Sequence, residues 1–144
     1  MYIMSDEGTR AYSDTLMNHF LHPRNVGEMP DADGVGRMGD PDCGDVLLVW
    51  IRVDAENRLT DVKFRCKGCP AAIACGSMMT ELAVGLDLDA ASDITDEMVE
   101  DALGGLPPAK RHCSNMAAAG LQEAILNFIV RSVERERVKA PPKP

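Results

Sequence analysis

The spacing of apolar and polar positions predicts a β-hairpin in the first half of the chain. Residues 46–53 are apolar at nearly every position and rich in β-formers, which indicates a well-buried strand. Residues 54–57 are typical of a turn. Residues 58–66 alternate, which predicts a half-buried strand antiparallel to the first, with its buried side formed by Thr60, Val62, Phe64 and Cys66. A short strand is also predicted near Val35 to Met38.

From residue 70 onward the apolar residues recur with helical spacing. Pro70 suits the first position of a helix, whose apolar stripe is Cys75, Met78, Met79, Leu82 and Leu86. Thr95 predicts the start of a short helix that stops at Gly104-Gly105. A long helix is then predicted from about residue 112 to about residue 137, with an apolar stripe of Cys113, Ala117, Leu121, Ala124 and Phe128.

A further short helix near the N-terminus completes the predicted fold. It covers residues 12–22, with Ser13 as its cap and one apolar face formed by Leu16, Met17, Phe20 and Leu21. Together these elements predict an α+β domain, with a small antiparallel sheet, helices packed on one of its faces and a long C-terminal helix. The 144 residues suffice for one such domain, which we place at 11–138, between a flexible start (1–10) and a disordered Pro/Lys tail (139–144).

Charge and hydropathy exclude several classes of function. The net charge of −8 repels phosphates, so we expect no nucleic-acid partner. The longest apolar run is Val46 to Ile51, far short of the roughly 20 residues that a membrane span needs. Residues 1–10 lack the pattern of a secretory signal, so we expect a cytoplasmic protein with reduced thiols. Eight acids and no bases lie in 81–101, which indicates solvated helix faces or a docking surface.

The five cysteines are the most informative residues, because an odd number cannot pair completely. Three lie at junctions between predicted elements. Cys43 precedes the buried strand, Cys69 precedes Pro70 at a predicted helix start, and Cys113 lies in the first turn of the long helix. A helix N-terminus favours a thiolate, which is the form that binds metals and attacks sulfur. We therefore interpret Cys43, Cys69 and Cys113 as candidate ligands or nucleophiles.

Other residues qualify that interpretation. Asp45 and His112 lie beside two of these cysteines and offer a harder or softer fourth ligand. Cys66 and Cys75 lie on apolar faces, which is typical of core packing, although Cys66 and Cys69 form a CxxC unit. That unit leaves two alternatives open: a zinc site built on the junction cysteines, and a dithiol redox module. We expect His19 and His22 to be surface or capping residues rather than ligands.

In combination, four stretches resemble the U-type iron–sulfur cluster scaffolds, the IscU and NifU N-terminal family. Each stretch alone is a weak signal, but they occur in the family's order and cover roughly residues 11 to 131. The resemblance implies a three-stranded antiparallel sheet with helices. The matching stretches are Tyr12-Ser13 through His22-Pro23-Arg24-Asn25-Val26-Gly27, then Gly39-Asp40-Pro41-Asp42-Cys43-Gly44-Asp45, then Asp61-Val62-Lys63-Phe64 with Gly68-Cys69 and Ala72-Ile73-Ala74, and finally Leu106-Pro107-Pro108-Ala109-Lys110-Arg111-His112-Cys113-Ser114.

The resemblance also implies roles for particular residues. Cys43, Cys69 and Cys113 match the three scaffold cysteines, and Asp45 and His112 match the acidic residue and the histidine beside them. Cys113 is our first choice as the acceptor of persulfide sulfur. Cys66 is a further candidate ligand, because it forms a CxxC unit with Cys69. The chain departs from the family at this position, at Cys75, where the family also commonly lacks a cysteine, and at Pro70, where the family commonly has Gly. The peptide that resembles the family's chaperone-recognition segment is formed by Leu106, Pro107, Pro108, Ala109 and Lys110.

The implied function is a scaffold rather than an enzyme. An iron–sulfur cluster, [2Fe-2S] with [4Fe-4S] as the alternative, would be assembled from iron and sulfur and passed to apo-proteins. The implied partners are a pyridoxal-phosphate cysteine desulfurase, an Hsp70-type chaperone with its co-chaperone, iron and electron donors, and recipient apo-proteins. The alternative is a zinc-binding sulfur-relay protein of the same fold, because three thiolates with Asp45 or His112 also satisfy tetrahedral zinc.

Overall fold

The computed structural model describes residues 12–40 and 44–139. The predicted flexible start at 1–10 and nearly all of the predicted tail lie outside these residues, as does Cys43. Nine elements follow one another along the described chain. They are α1 (Asp14–Leu21), β1 (Gly34–Asp40), β2 (Asp45–Val53), β3 (Leu59–Lys67), α2 (Pro70–Ala83), α3 (Leu88–Ser92), α4 (Asp96–Ala102), a single 3-10 turn (Pro108–Lys110) and α5 (Arg111–Lys139).

The three strands form one antiparallel sheet in the order β1-β2-β3, which confirms the predicted α+β fold. The register places Gly39 opposite Val46 and Val46 opposite Lys67. The pairing of β2 with β3 shifts at Arg52/Val53, where a bulge interrupts the ladder. Thr60 is exposed as a result and Leu59 is buried in its place, so the prediction that Thr60 lies on the buried side was wrong.

The helices pack on one face of the sheet, as predicted. Alternate residues of β2 and β3 point into this core and are buried; they are Leu47, Val49, Ile51, Val62 and Phe64. The opposite face of β2 (Val46, Leu48 and Trp50) is half-buried, so the strand is not buried on both faces as predicted. Close approach of α5 explains Gly36 in β1, because a Cβ there would lie 2.3 Å from the carbonyl oxygen of Gly120.

Side-chain caps fix where several helices begin. Ser13 caps α1 by accepting a hydrogen bond from the Leu16 N–H at 2.9 Å, as predicted. Thr95 caps α4 in the same way. Asp87 caps α3, a five-residue helix that the sequence pattern did not predict because it is too short to show a period. Cys69 is the N-cap of α2 and Pro70 its first residue, as predicted.

Two residues of α1 differ from the prediction in their exposure to solvent. Leu21 is 61% exposed, whereas His19 is buried, so His19 is neither a surface residue nor a cap. Nδ1 of His19 lies 2.7 Å from Oγ of Ser77 on α2, and this contact ties the two helices together. Burial lowers the pKa of His19, with a further lowering by Arg24. His22 is the C-cap of α1, as predicted.

The cap of α1 gives a prediction about stability. Oγ of Ser13 also donates a hydrogen bond to the carbonyl oxygen of Leu103, which joins α1 to the end of α4. We expect Ser13→Ala to lower the free energy of unfolding by about 1 to 2 kcal/mol, because a cap and a long-range bond are lost together. Urea denaturation measures the change.

Ser92→Ala is the matched control for this prediction. Among the described residues, the exposed hydroxyl of Ser92 bonds the Leu88 carbonyl of its own helix and no other group, so its loss should change stability by less than about 0.5 kcal/mol. Equal losses in the two variants would contradict the capping role.

No helix among the described residues is long and apolar enough to cross a membrane.

Candidate functional site

Four of the predicted site residues lie together at one end of the sheet. Asp45 is the first residue of β2, and Cys69 is the N-cap of α2, just beyond the end of β3. His112 and Cys113 lie in the first turn of α5. The fold thus brings a strand start and two helix N-termini to the same place, although 44 residues separate Cys69 from Cys113.

Two thiols and an imidazole form the centre of this site. Sγ of Cys69 lies 3.8 Å from Sγ of Cys113, and Sγ of Cys113 lies 3.6 Å from Nε2 of His112. Cys113 is buried, whereas Cys69 is half-buried and therefore reachable from solvent. Thiolate and imidazole are ligands that iron and zinc both accept. The arrangement can therefore hold a metal ion or a small cluster against the protein surface.

Asp45 supplies a carboxylate to the same site. Its side chain is buried, and its Oδ2 atom has no hydrogen-bond partner among residues 12–40 and 44–139. Oδ2 of Asp45 lies 3.9 Å from Nε2 of His112. Ligand atoms of Asp45, His112 and Cys113 all lie within 4.8 Å of one another. Because a buried oxygen without a partner is costly, this donor set fits a metal centre well.

Glycine at position 68 makes room for that carboxylate. A Cβ at Gly68 would lie 2.8 Å from Oδ1 of Asp45 and 3.2 Å from Cβ of Ala72. Any larger residue would therefore push Asp45 or the start of α2 away from the site. Gly68 belongs to a stretch that carries the family resemblance, but its role was not predicted, although its place between a strand end and a helix cap was a usable signal.

The electrostatics of Cys113 differ from the prediction. We expected its position in the first turn of α5 to favour the thiolate. Instead, burial raises the pKa of Cys113, and the neighbouring Cys69 raises it further. Desolvation outweighs the helix N-terminus here, so the thiol is protonated in the metal-free protein. A bound metal reverses this balance, because metal binding displaces the thiol proton.

Lys110 also has a different neighbour from the one expected. The sequence suggested that Lys110 and Arg111 would assist Cys113. In the structure Cys69 is the main cause of a raised Lys110 pKa, and a hydrogen bond between their side chains contributes. The guanidinium of Arg111 lies instead 3.8 Å from the carboxylate of Glu100. The ammonium of Lys110 therefore lies beside Cys69 rather than beside Cys113.

The two extra cysteines differ in their access to the site. Cys66 is half-buried near the end of β3, and burial together with Asp45 and Cys69 raises its pKa to about 12. Cys75 is fully buried in α2 as part of the hydrophobic core, as predicted. Burial raises the pKa of Cys75 as well. Neither thiol is ionised at neutral pH in the metal-free protein.

The candidate chaperone-recognition peptide leads directly into the site. Leu106 is buried in the core, whereas Pro108 and Ala109 are exposed in the 3-10 turn that precedes α5. Lys110 ends this turn and contacts Cys69. The exposed part of the peptide is thus connected through Lys110 to one of the site thiols.

Comparison with known proteins agrees with this arrangement. Residues 11–135 match the family model of the NifU-like N terminal domain. An iron-sulfur cluster assembly scaffold protein IscU of Archaeoglobus fulgidus is 48% identical over 128 residues, which cover 89% of this chain and 83% of that protein. The IscU scaffold protein of Aquifex aeolicus is 43% identical over 121 residues, which cover 83% of this chain and 77% of that protein.

A solved structure has the same fold. The crystal structure of the N-terminal part of a nitrogen-fixing NifU-like protein from Brucella abortus superposes with a TM-score of 0.59, at 18% identity, over 88% of this chain and 96% of that one. At this identity the likeness concerns the fold alone. The family match, in contrast, spans the strand start and the two helix N-termini that form the site. The chain therefore belongs to the family of NifU-like N-terminal domains.

Proposed function

We propose that this protein is a scaffold on which an iron–sulfur cluster is assembled and from which it is passed to apo-proteins. The observation that carries the proposal is the convergence of Asp45, Cys69, His112 and Cys113. Within the part of the chain that the structure describes, one buried carboxylate oxygen of Asp45 lacks a hydrogen-bond partner. The relatives named as assembly scaffolds support it. Their names do not favour the zinc-relay alternative. In this role the cluster is cargo rather than a resident cofactor.

The mixed donor set suits a cluster that must leave again. Stable iron–sulfur carriers commonly hold their cluster with four thiolates. Here Cys69 and Cys113 would hold it, with Cys43 as the proposed third thiolate, and Asp45 or His112 would complete the set. Oxygen and nitrogen ligands bind cluster iron less firmly than sulfur. We infer that Asp45 and His112 keep the cluster exchangeable.

Sulfur would enter by transfer from a persulfide on a pyridoxal-phosphate cysteine desulfurase. A scaffold thiolate attacks the outer sulfur of that persulfide, the new S–S bond forms, and the donor thiolate leaves. Cys113 was the predicted acceptor, but it is buried, whereas Cys69 is half-buried beside Lys110. Cys69 is therefore the better first acceptor, and Cys113, 3.8 Å away, would receive sulfur from it.

The remaining partners follow from the exposed surfaces around the site. An Hsp70-type chaperone with its co-chaperone would bind the peptide from Leu106 to Lys110, of which Pro108 and Ala109 are exposed. Burial of Leu106 means that the whole peptide becomes available only when this segment loosens. Iron and electron donors would load the site, and recipient apo-proteins would take the cluster, in the cytoplasm.

Anaerobic reconstitution with iron and a sulfide source tests the proposed function. We expect a coloured protein with a Mössbauer spectrum of a [2Fe-2S] cluster, or of [4Fe-4S] if two smaller clusters combine. Metal analysis of the same sample distinguishes the scaffold from the zinc-binding alternative. A colourless protein that binds zinc stoichiometrically and takes up no iron or sulfide under these conditions would contradict the scaffold proposal.

Cys66 gives a prediction that separates assembly from dithiol chemistry. Burial raises the pKa of its thiol, and Cys66 is not one of the described residues whose ligand atoms converge within 4.8 Å. We expect Cys66→Ser to bind cluster iron within about twofold of the unsubstituted protein, because the mixed ligand set remains complete.

The opposite outcome has a clear meaning. Suppose that Cys66→Ser abolished delivery of the cluster to apo-proteins while Cys43→Ala left that delivery intact. A dithiol redox module formed by Cys66 and Cys69 would then be a better description of the protein than a scaffold. Mössbauer spectra of Cys66→Ser and the unsubstituted protein would also reveal a changed ligand if Cys66 bound iron.

A further inference from the structure

The C-terminal half of α5 carries an apolar stripe on its outer face. Leu126, Ile129, Val130 and Val133 are 55%, 45%, 46% and 53% exposed. Their spacing of i, i+3, i+4 and i+7 places them on one side of the helix. The side that faces the sheet is formed by other residues, Ala117, Leu121, Ala124 and Phe128. The helix is therefore apolar on two sides, and only one of them is covered by the core.

Charged residues mark the two ends of this stripe symmetrically. Glu123 precedes Val130 by seven residues and Arg137 follows it by seven, and both are exposed. When two such helices run antiparallel and cross at Val130, each Arg137 faces the Glu123 of the other copy. The two ion pairs form together by symmetry, as in an isologous two-fold interface. The same register brings Leu126 toward Val133 of the other helix.

We propose that this face of α5, formed by Leu126, Ile129, Val130 and Val133 with Glu123 and Arg137 at its ends, binds the same face of a second copy. The chain carries a net charge of −8, so two copies repel each other over most surfaces. The stripe is a place where apolar contact and opposite charges coincide. A self-complementary pattern of this kind selects a second copy over an unrelated partner.

The size of the stripe sets the expected strength of this dimer. Four half-exposed side chains over two helical turns bury less surface than a standard protein interface, so the dimer is weak, with a dissociation constant of roughly 10 to 100 μM. Cys113 lies 17 residues from Val130 on the same helix, or about 25 Å at 1.5 Å per residue. Both cluster sites thus stay open, and the proposed scaffold function does not depend on the dimer.

Sedimentation velocity over a range of protein concentrations tests the proposal directly. We expect the average mass to rise from that of one chain toward that of two as the concentration passes the dissociation constant. Val130→Glu should raise that constant at least about tenfold, because a carboxylate would lie at the two-fold axis. Val138→Glu is the matched control: Val138 is 85% exposed but lies off the stripe, so dimerisation should persist.

Charge reversal tests whether Arg137 of one copy contacts Glu123 of the other copy. Arg137→Glu alone and Glu123→Arg alone each place like charges at both ends, so each variant should dimerise at least about tenfold more weakly. An equimolar mixture of the two should form a heterodimer in which both ends are again complementary.

The outcomes against the proposal are distinct from failure of the scaffold function. A protein that stays monomeric up to millimolar concentration would overturn the dimer, and so would a mixture of the charge variants that does not associate. Cluster reconstitution of Val130→Glu, measured by absorption, should match that of the unsubstituted protein. If Val130→Glu lost both dimerisation and cluster binding, the substitution would have unfolded α5, which circular dichroism reports.

Discussion

Cys69→Ala is expected to lose more than about nine-tenths of the cluster that the unsubstituted protein binds on anaerobic reconstitution. Cys69 contributes a half-buried thiol, 3.8 Å from Sγ of Cys113 and beside the ammonium of Lys110. Its removal leaves Cys113 and the proposed ligand Cys43 as the only thiolates of the set, which with one oxygen or nitrogen ligand is too few to hold two irons. Cys113→Ala should have the same effect for the same reason. Iron and sulfide per chain, together with visible absorption, measure the loss.

Cys75→Ala is the matched control for both variants. Cys75 is a fully buried core residue of α2 that contributes no ligand atom to the converging set. Its replacement by alanine should lower stability by about 1 kcal/mol and leave cluster binding unchanged. If Cys69→Ala and Cys113→Ala both retained a normal cluster, the site would lie elsewhere and the scaffold assignment would fail.

The fold could be predicted from the sequence where local patterns decide it. Ser13 and Thr95 begin helices because their hydroxyls satisfy free N–H groups of the first turn, which is a local effect. Thr60 could not be placed, because the bulge that exposes it depends on how β3 pairs with β2. His19 is buried through a contact with Ser77, 58 residues away, which no periodicity within α1 reveals.

The sequence predicted that four residues would converge, but it did not predict their electrostatics. Asp45, Cys69, His112 and Cys113 were selected by their junction positions and by resemblance, and the structure brings these four together. Which thiol is protonated depends on desolvation, and burial of Cys113 outweighs its place at a helix start. Distances across the fold also decide that Lys110 meets Cys69 rather than its nearer neighbour in sequence.

The position of the site at the end of the sheet suits a scaffold that must load and unload. Its ligands come from separate elements rather than from one rigid motif, so a small movement of α2 relative to α5 changes the distance between Cys69 and Cys113. Leu106 anchors the segment before α5 in the core, and the exposed Pro108 and Ala109 follow it. A partner that pulls on this segment would therefore act on His112 and Cys113 directly.

Asp45→Ala is expected to slow transfer of the cluster to an apo-protein acceptor at least about tenfold. The carboxylate of Asp45 is buried, and none of the described residues forms a hydrogen bond with its Oδ2 atom. It adds negative charge to a site that already contains thiolates and an anionic cluster, so it weakens the hold on the cargo. Without it, the imidazole of His112 is left as the non-thiolate ligand, and repulsion in the site is reduced.

The rate of transfer can be followed by the loss of visible absorption, or by circular dichroism when an apo-ferredoxin is the acceptor. Asp89→Ala is the matched control, because Asp89 is an exposed aspartate of α3 and contributes no ligand atom to the site. It should transfer its cluster at the rate of the unsubstituted protein. Faster transfer from Asp45→Ala would show that the carboxylate holds the cluster, which is the reverse of the role inferred from its burial. Slower transfer, in contrast, would identify the buried charge as the feature that makes this site a scaffold rather than a permanent carrier.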